Sequence, residues 1–287
     1  MPTADIGGVS IYYEESGSGE PIVFVHGIPT DYRAWRYQTE SFSRGRRMIA
    51  LSRRYAAPNQ RQGDLSDSTV ENNALDLQGF IEGVGGGHVD LVGHSYGGFI
   101  SAFLAANHPT LIRSLVLVEP AVSTLLVADQ TSGAQALGLL LRSPSVALSG
   151  RRFQTQSLAP SLKALERGEF DRAVELNVDG VQDMKGAYMK LPEETRKMML
   201  DNSRTVAELK TRFPRFTAKE AGRISCPTLI INGEESALYL RRIGELMTEA
   251  IPRAERTVVP RSRHFPHLEN ASFFNETVLG FLGRRER

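Results

Sequence analysis

Six short apolar segments, most of them separated by helix-length stretches, constrain the fold of this chain more than any other feature of its sequence. They are IVFVHG (22–27), RRMIALS (46–52), HVDLVGH (88–94), RSLVLVE (113–119), TLIING (228–233) and RTVVP (256–260). Most are continuously apolar, which is typical of strands that helices cover on both faces of a parallel sheet. The segment VSIYYEE (9–15) has the pattern of an antiparallel edge strand.

Helices are predicted between and after these strands. The segments with helical patterns are 68–83, 97–107, 237–250 and 271–283. Strands that alternate with helices indicate an α/β fold. We therefore predict a mostly parallel, doubly wound sheet of about eight strands with helices on both faces.

One long interval interrupts this alternation. Between residues 121 and 223 no strand–helix pair is recognisable, and Leu, Ala, Met, Lys and Glu recur at helical spacing. The sequence predicts a helical insertion there, called the insertion below. The α/β core is then formed by residues 1–120 and 224–287.

Composition narrows the class of protein and its partners. The 34 Lys and Arg residues nearly balance 33 Asp and Glu residues, so the net charge of +1 gives no general reason to bind nucleic acid. The single Cys226 excludes an internal disulfide and a Cys-based zinc site. Because we find no signal peptide and no apolar stretch of about 18 residues, we expect a cytoplasmic protein without a membrane partner. We expect no cofactor.

The segment LVGHSYGG (91–98) is the most specific chemical signal. It places Gly93-His94-Ser95-Tyr96-Gly97, a G-x-S-x-G pattern, between a predicted strand and a predicted helix. The glycines allow a turn so tight that a Cβ at either flank would clash. Such a turn presents the Ser95 hydroxyl to substrate at the top of the sheet, so we predict that Ser95 is a nucleophile.

This pattern resembles the α/β-hydrolase family, and the resemblance covers nearly the whole chain. The segment FVHGIPTDYRAW (24–35) is a second mark of that family. The resemblance implies that the backbone N–H groups of Ile28 and Tyr96 form an oxyanion hole, which stabilises charge on a tetrahedral intermediate.

The segment PRSRHFPHLEN (260–270) is the third mark, since the family places its general base after the last strand. The resemblance implies that His264 accepts the Ser95 proton. His267 is a competitor, but its position matches a family residue that supports the start of the following helix.

The acidic partner departs from the commonest family pattern. The usual position, three residues after Gly233, holds Ser236, and Glu234 and Glu235 lie out of register. Some members, certain haloalkane dehalogenases among them, place the acid at the end of the strand after the nucleophile helix. That position is Glu119, which we predict to be the acid, with Glu234 or Glu235 as alternatives.

The nucleophile decides the reaction class that the resemblance implies. Haloalkane dehalogenases and epoxide hydrolases use an Asp nucleophile, whereas Ser95 forms an acyl-enzyme. We predict hydrolysis of a small to medium apolar carboxylic ester or lactone. The alternatives are a C–C hydrolase of vinylogous ketones, with Arg33, Arg36 and Arg53 as unassigned candidates for a substrate carboxylate, a cofactor-free haloperoxidase-like activity, or a non-catalytic ligand receptor.

The insertion corresponds to the cap of the family, which covers the edge of the sheet where Ser95 emerges. Its apolar segments include 136–148, and Met184, Tyr188 and Met189 lie further along it. We predict that these three residues contribute to a substrate-binding roof that accepts an apolar group. The sequence leaves the oligomeric state open, a homodimer included.

Overall fold

An eight-stranded sheet forms the centre of the fold in the computed structural model, which describes residues 2–59, 63–129 and 131–284. The strands are β1 (Thr3–Ile6), β2 (Val9–Ser16), β3 (Pro21–Val25), β4 (Arg47–Leu51), β5 (Val89–His94), β6 (Ile112–Val118), β7 (Thr228–Gly233) and β8 (Ala254–Val259). Their order is β1-β2-β4-β3-β5-β6-β7-β8, and all neighbours from β4 to β8 are parallel. The strands β1 and β2 form an antiparallel edge. The predicted mostly parallel sheet is confirmed.

Helices flank this sheet and fill the segment between β6 and β7. They are α1 (Thr39–Ser43), α2 (Val70–Gly83), α3 (Ser95–Asn107), α4 (Gly133–Arg142), α5 (Pro144–Arg152), α6 (Ala159–Glu166), α7 (Phe170–Val181), α8 (Ala187–Lys190), α9 (Glu193–Asp201), α10 (Ala218–Ala221), α11 (Leu238–Ala250), α12 (Pro266–Glu269) and α13 (Ala271–Gly283). Among the described residues, each of these helices is too short or too polar to cross a lipid bilayer.

Two apolar clusters cover the two faces of the sheet. In β3, Ile22 and Phe24 belong to a cluster with side chains of α1 and α13, while Val23 and Val25 belong to a cluster with α2, α3 and α11. Successive side chains of a strand point to opposite faces, so both faces need apolar cover. This explains why the strand segments are continuously apolar.

The ends of two strands differ from the prediction in a way that matters for the site. The strand β3 ends at Val25, and His26 and Gly27 leave the sheet as a loop. The strand β6 ends at Val118, because Glu119 has a φ of 48° and turns out of the strand. The sequence analysis also missed β1, α1 and α12, which are short.

The strand order creates a crevice at one edge of the sheet. The strand β3 lies between β4 and β5. The connection from β3 to β4 therefore crosses towards one edge of the sheet, whereas the strands from β5 onwards are added towards the other edge. Ligands of open α/β sheets bind at such a switch point, outside the carboxyl ends of the strands. The loops after β3, β5, β6 and β8 all leave the sheet at this edge.

The insertion is helical and seated on the core. It carries α4 to α10, a π-helical segment Phe153–Leu158 that joins α5 to α6, and a 3-10 helical segment Ser203–Lys210. Gln182 Nε2 of the insertion donates to Glu269 Oε1 of the core at 2.8 Å. Treating residues 121–223 as a separate domain stays a prediction.

Candidate active site

Ser95 occupies a strained turn between β5 and α3. It is the first residue of α3 and has a φ of 52°, in the left-handed region that non-glycine residues rarely adopt. A Cβ on Gly97 would lie 2.4 Å from the His26 carbonyl oxygen and 2.5 Å from that of Val25. Only glycine therefore allows the helix to begin this close to the loop after β3.

His264 lies beside the Ser95 hydroxyl. Its Nε2 is 3.0 Å from Ser95 Oγ, and its side chain is buried. Its backbone N–H donates to Gln182 Oε1 at 2.7 Å, and its carbonyl accepts from His94 Nε2 at 2.8 Å. The insertion and the residue before Ser95 thus both position His264.

Glu119 lies on the other side of the His264 ring. Its Oε2 is 3.4 Å from His264 Nδ1. Its Oε1 accepts from Asn232 Nδ2 at 3.0 Å, from the Gly233 N–H at 2.8 Å and from Ser236 Oγ at 2.8 Å. These three donors offset the cost of burying a carboxylate. Ser236, at the usual position of the family's acid, is instead a hydrogen-bond donor to Glu119.

The two alternative acids make other contacts. Glu235 pairs with Arg263 Nη2 at 2.7 Å, and Glu234 accepts from the Arg261 N–H at 2.9 Å. Both side chains face the exposed loop before His264. Of the three predicted candidates, the structure brings Glu119 to the His264 ring.

The proposed oxyanion donors flank Ser95. A Cβ on Gly27 would lie 2.9 Å from Ser95 Cβ, so the peptide leading to Ile28 passes directly beside Ser95. Tyr96 lies in the first turn of α3, where backbone N–H groups have no partner within the helix. The positive end of the helix dipole adds to this site. The role of both amides stays a prediction.

His267 lies away from Ser95 in a closed aromatic environment. Its ring centroid is 4.6 Å from those of Trp35 and His94, and its two nitrogens have no hydrogen-bond partner among the described residues. Burial lowers its pKa to about 3, with the nearby His264 as a secondary cause. His267 therefore stays neutral and supports the fold.

The burial of neutral His267 predicts that the free energy of unfolding decreases at acidic pH. Because the folded state lowers the pKa of His267 from 6.5 to about 3, its contribution is full above pH 6.5 and is lost as the pH falls from 6.5 towards 3. At pH 4.5 the loss is about 2–3 kcal/mol. His267→Phe should remove that loss, while His94, whose pKa burial also lowers, retains its own share.

Melting temperatures from pH 7 to 4.5 measure this effect. The exposed His88 provides the control, since His88→Gln should follow the wild-type curve. A His267→Phe curve that is parallel to the wild type over this range would contradict the assignment.

The three predicted roof residues lie within the insertion. Tyr188 is buried in a cluster with Val178, Met198 and Phe265. The Met184 sulfur accepts from Lys190 Nζ at 3.6 Å, and Met189 is 61% exposed. These contacts place the three side chains in the insertion and at its seat on the core. Their role in binding substrate stays a prediction.

Several residues at the site were not found from the sequence. Gln182, Asn232 and His94 hold His264 and Glu119, yet none lies in a motif whose side-chain role is general. His94 occupies the first variable position of the G-x-S-x-G segment, and this was the one signal that could have singled it out. No three His, Cys, Asp or Glu side chains are grouped for metal binding in residues 2–59, 63–129 and 131–284.

Comparison with known proteins defines the class. Residues 20–271 match the family with the α/β hydrolase fold, and the chain belongs to this family. It is 26% identical to a putative carbamate hydrolase, RutD, from Azorhizobium caulinodans, over 99% of this chain and 98% of that protein. Other curated relatives are named as an epoxide hydrolase and as a hydrolase of 2-hydroxy-6-oxononadienedioate.

Solved structures show the same fold. A bromoperoxidase from Bacillus anthracis aligns with a TM-score of 0.73 at 23% identity, over 98% of this chain and 99% of that chain. Est816, an N-acyl homoserine lactone degrading enzyme, aligns with a TM-score of 0.66 at 25% identity, over 98% of this chain and 100% of that chain. The relatives act on different bonds, so family membership defines a hydrolase superfamily and leaves the substrate to be argued from the site.

Proposed function

We propose that this protein is a serine hydrolase that cleaves a small to medium apolar carboxylic ester or lactone through an acyl-enzyme. The observation that carries the proposal is a pair of buried side-chain contacts. Ser95 Oγ lies 3.0 Å from His264 Nε2, and His264 Nδ1 lies 3.4 Å from Glu119 Oε2. A nucleophile, a base and a group that orients the base are the parts that acyl transfer requires.

The contacts define the direction of proton transfer. Glu119 is an acceptor, so it favours the His264 tautomer with the proton on Nδ1 and the lone pair on Nε2. His264 Nε2 then takes the Ser95 proton as Oγ bonds to the substrate carbonyl carbon. The same proton passes to the leaving alkoxide oxygen, the ester C–O bond breaks, and an acyl-Ser95 remains.

A water molecule completes the cycle by the reverse roles. The water oxygen attacks the acyl carbon while His264 accepts a proton from the water. His264 then returns that proton to Ser95 Oγ as the carboxylic acid leaves. In both steps negative charge develops on the carbonyl oxygen. The N–H groups of Ile28 and Tyr96 are proposed to stabilise it, and one such donor is worth about 3–4 kcal/mol.

The arginines that the sequence offered for a substrate carboxylate all have protein partners. Arg33 pairs with Asp31 and Asp201, and Arg36 pairs with Glu194. Arg53 is held by Glu208. Each of the three arginines considered for a substrate carboxylate is thus already paired with a protein carboxylate, which disfavours the alternative of a C–C hydrolase with an anionic substrate.

The insertion packs apolar side chains on the core face that holds Ile28 and Tyr96, and the ring of its Phe213 lies 5.9 Å from the Tyr96 ring. Several of them pack on the core cluster that contains Ile28 and Tyr96: Leu125, Leu126, Val146, Phe153, Leu162, Leu165, Leu209 and Phe213. Apolar side chains with a few placed polar groups are the usual lining of a small-molecule site. The likeness to Est816 supports a lactone as one member of the substrate class.

A substrate panel tests the proposal. We expect turnover of p-nitrophenyl acetate, butyrate, hexanoate and octanoate and of γ- and δ-lactones. Each methylene that is buried should stabilise the bound transition state by up to about 0.8 kcal/mol, so kcat/KM should rise with chain length until the roof is filled. Met184→Ala should move the optimum to longer chains, whereas Leu148→Ala, at a 55% exposed position, is the matched control.

The panel also contains a vinylogous diketone and an epoxide. Faster cleavage of either than of every ester and lactone would overturn the proposed substrate class. Binding of ligands without turnover of any compound would favour the receptor alternative. Identical chain-length profiles in the wild type and in Ala variants of Met184, Tyr188 and Met189 would show that these residues do not select substrate.

A further inference from the structure

A fully buried carboxylate of the insertion lies behind the proposed oxyanion hole. Glu208, in the 3-10 helical segment Ser203–Lys210, has no exposed surface. Its Oε2 is 2.6 Å from Arg53 Nη1, and its Oε1 accepts from Ser68 Oγ at 2.9 Å. The acyl-transfer steps above use neither Glu208 nor Arg53.

Arg53 holds the loop that leads to Ile28. Its Nε donates to the His26 carbonyl at 3.2 Å, its Nη2 donates to the Gly27 carbonyl at 3.4 Å, and its backbone N–H donates to His26 Nε2 at 3.0 Å. The Gly27 carbonyl and the Ile28 N–H belong to one planar trans peptide unit, in which they point in opposite directions. The Gly27 carbonyl also binds His26 Nδ1 at 2.8 Å and Thr30 Oγ1 at 3.1 Å. Arg53, which also holds the His26 ring and carbonyl, is thus one of three side chains that fix this peptide and aim the Ile28 N–H to its opposite side.

The same pair contacts the second donor residue. The guanidinium carbon of Arg53 lies 5.0 Å from the centroid of the Tyr96 ring, within cation–π range. The Tyr96 hydroxyl donates to the Ser68 carbonyl at 2.9 Å, and Ser68 Oγ in turn donates to Glu208. Glu208 is thus connected to both Ile28 and Tyr96.

Stability alone is a weak reason for this ion pair. Arg53 and Glu208 have side-chain exposures of 2% and 0%, so both charges are desolvated. A buried pair of this kind contributes little more than an apolar pair of the same volume, and often less. The pair does, however, fix geometry, since an Arg with five donors in a rigid fork can hold several oxygens at once.

We propose that Arg53 and Glu208 are positioning residues that align the Ile28 and Tyr96 amides, so that seating of the insertion on the core completes the oxyanion hole. This inference rests on the proposed serine hydrolase function. It makes catalytic power depend on an insertion residue that touches neither substrate nor the reacting atoms.

The test compares Glu208→Gln, Arg53→Met and the double variant Arg53→Met/Glu208→Met with a matched control. The control is Arg46→Met, which breaks another buried ion pair, Arg46 Nη1 to Asp90 Oδ2 at 2.6 Å, at the opposite edge of the sheet, where β4 and β5 begin. The readouts are kcat and KM for p-nitrophenyl butyrate, the acylation rate with a fluorophosphonate, the inhibition constant of an alkyl trifluoromethyl ketone, and the melting temperature.

We expect kcat to fall about 10- to 100-fold in Glu208→Gln and Arg53→Met, somewhat less than for loss of one oxyanion donor. KM should change little. The trifluoromethyl ketone forms a tetrahedral adduct that places an oxyanion in the hole, so its affinity should fall in parallel with kcat/KM. The double variant should melt at a higher temperature than the single variants, because it leaves no unpaired buried charge, but its kcat should stay as low as theirs. Arg46→Met should have a lower melting temperature and an unchanged kcat.

Two results would overturn the inference. One is wild-type kcat and ketone affinity in Glu208→Gln and Arg53→Met. The other is recovery of kcat together with melting temperature in the double variant, because that is the behaviour of a structural pair. Absence of acylation in the wild type would refute the proposed function itself, and this inference with it.

Discussion

Ser95→Ala should abolish ester hydrolysis while leaving the fold intact. The variant removes a hydroxyl at a position that is 7% exposed, and it keeps the Cβ that the strained turn already accommodates. Without the nucleophile, only transition-state binding and His264 acting on water remain. We expect kcat to fall on the order of 10⁴- to 10⁶-fold, as in serine proteases that lose a member of the triad.

Steady-state kinetics with p-nitrophenyl butyrate and a thermal melt on the same sample measure this prediction. Ser101→Ala provides the control, because Ser101 is a second buried serine on α3 whose hydroxyl bonds to the Gly97 carbonyl at 2.8 Å. Its activity should remain close to that of the wild type. Retention of more than about a tenth of the activity by Ser95→Ala would be incompatible with an acyl-Ser95.

Glu119→Gln should be nearly as damaging, for a reason that the hydrogen bonds of Glu119 make specific. Three donors, from Asn232, Gly233 and Ser236, converge on Oε1, so the Gln amide oxygen must occupy that position. Its NH₂ group then faces His264 Nδ1 and favours the tautomer with the proton on Nε2. That tautomer cannot accept the Ser95 proton, and we expect kcat to fall about 10³- to 10⁴-fold.

The alternative acids supply the matched comparison. Glu234→Gln and Glu235→Gln should keep wild-type kcat, because their carboxylates contact the Arg261 N–H and the Arg263 guanidinium. Ser236→Ala removes one of the three donors to Glu119 and should lower kcat about tenfold, the lower end of what the loss of a single hydrogen bond to a charged group costs. A nearly wild-type Glu119→Gln beside an inactive Glu235→Gln would mean that the acid is misassigned.

Local patterns predicted most of the core. A continuously apolar strand needs only its own residues to be recognised, and the G-x-S-x-G segment combines a strand end, a tight turn and a helix start within a few residues. Short elements such as β1 and α1 were missed because four or five residues carry too little periodicity. Strand ends were misplaced where a residue leaves the ladder with an unusual φ, as at Glu119.

The side-chain networks of the site could not be predicted in the same way. Arg53 and Glu208 are 155 positions apart, and Gln182 and His264 are 82 apart, so each contact depends on how the insertion packs on the core. Nothing local to Glu208 distinguishes it from the exposed glutamates of the insertion. Ser236 shows the opposite case: the sequence showed that it could not be the acid, but its hydrogen bond to Glu119 required the fold.

The most direct test of the central claim is the mass and position of the covalent adduct that a fluorophosphonate forms. Ser95 Oγ should displace fluoride from phosphorus, and peptide mapping by mass spectrometry should find a single adduct on the peptide that contains Ser95. Pre-incubation with p-nitrophenyl butyrate should slow the labelling, and His264→Ala should nearly abolish it. An adduct on another residue, or labelling that proceeds at the wild-type rate in His264→Ala, would contradict the account.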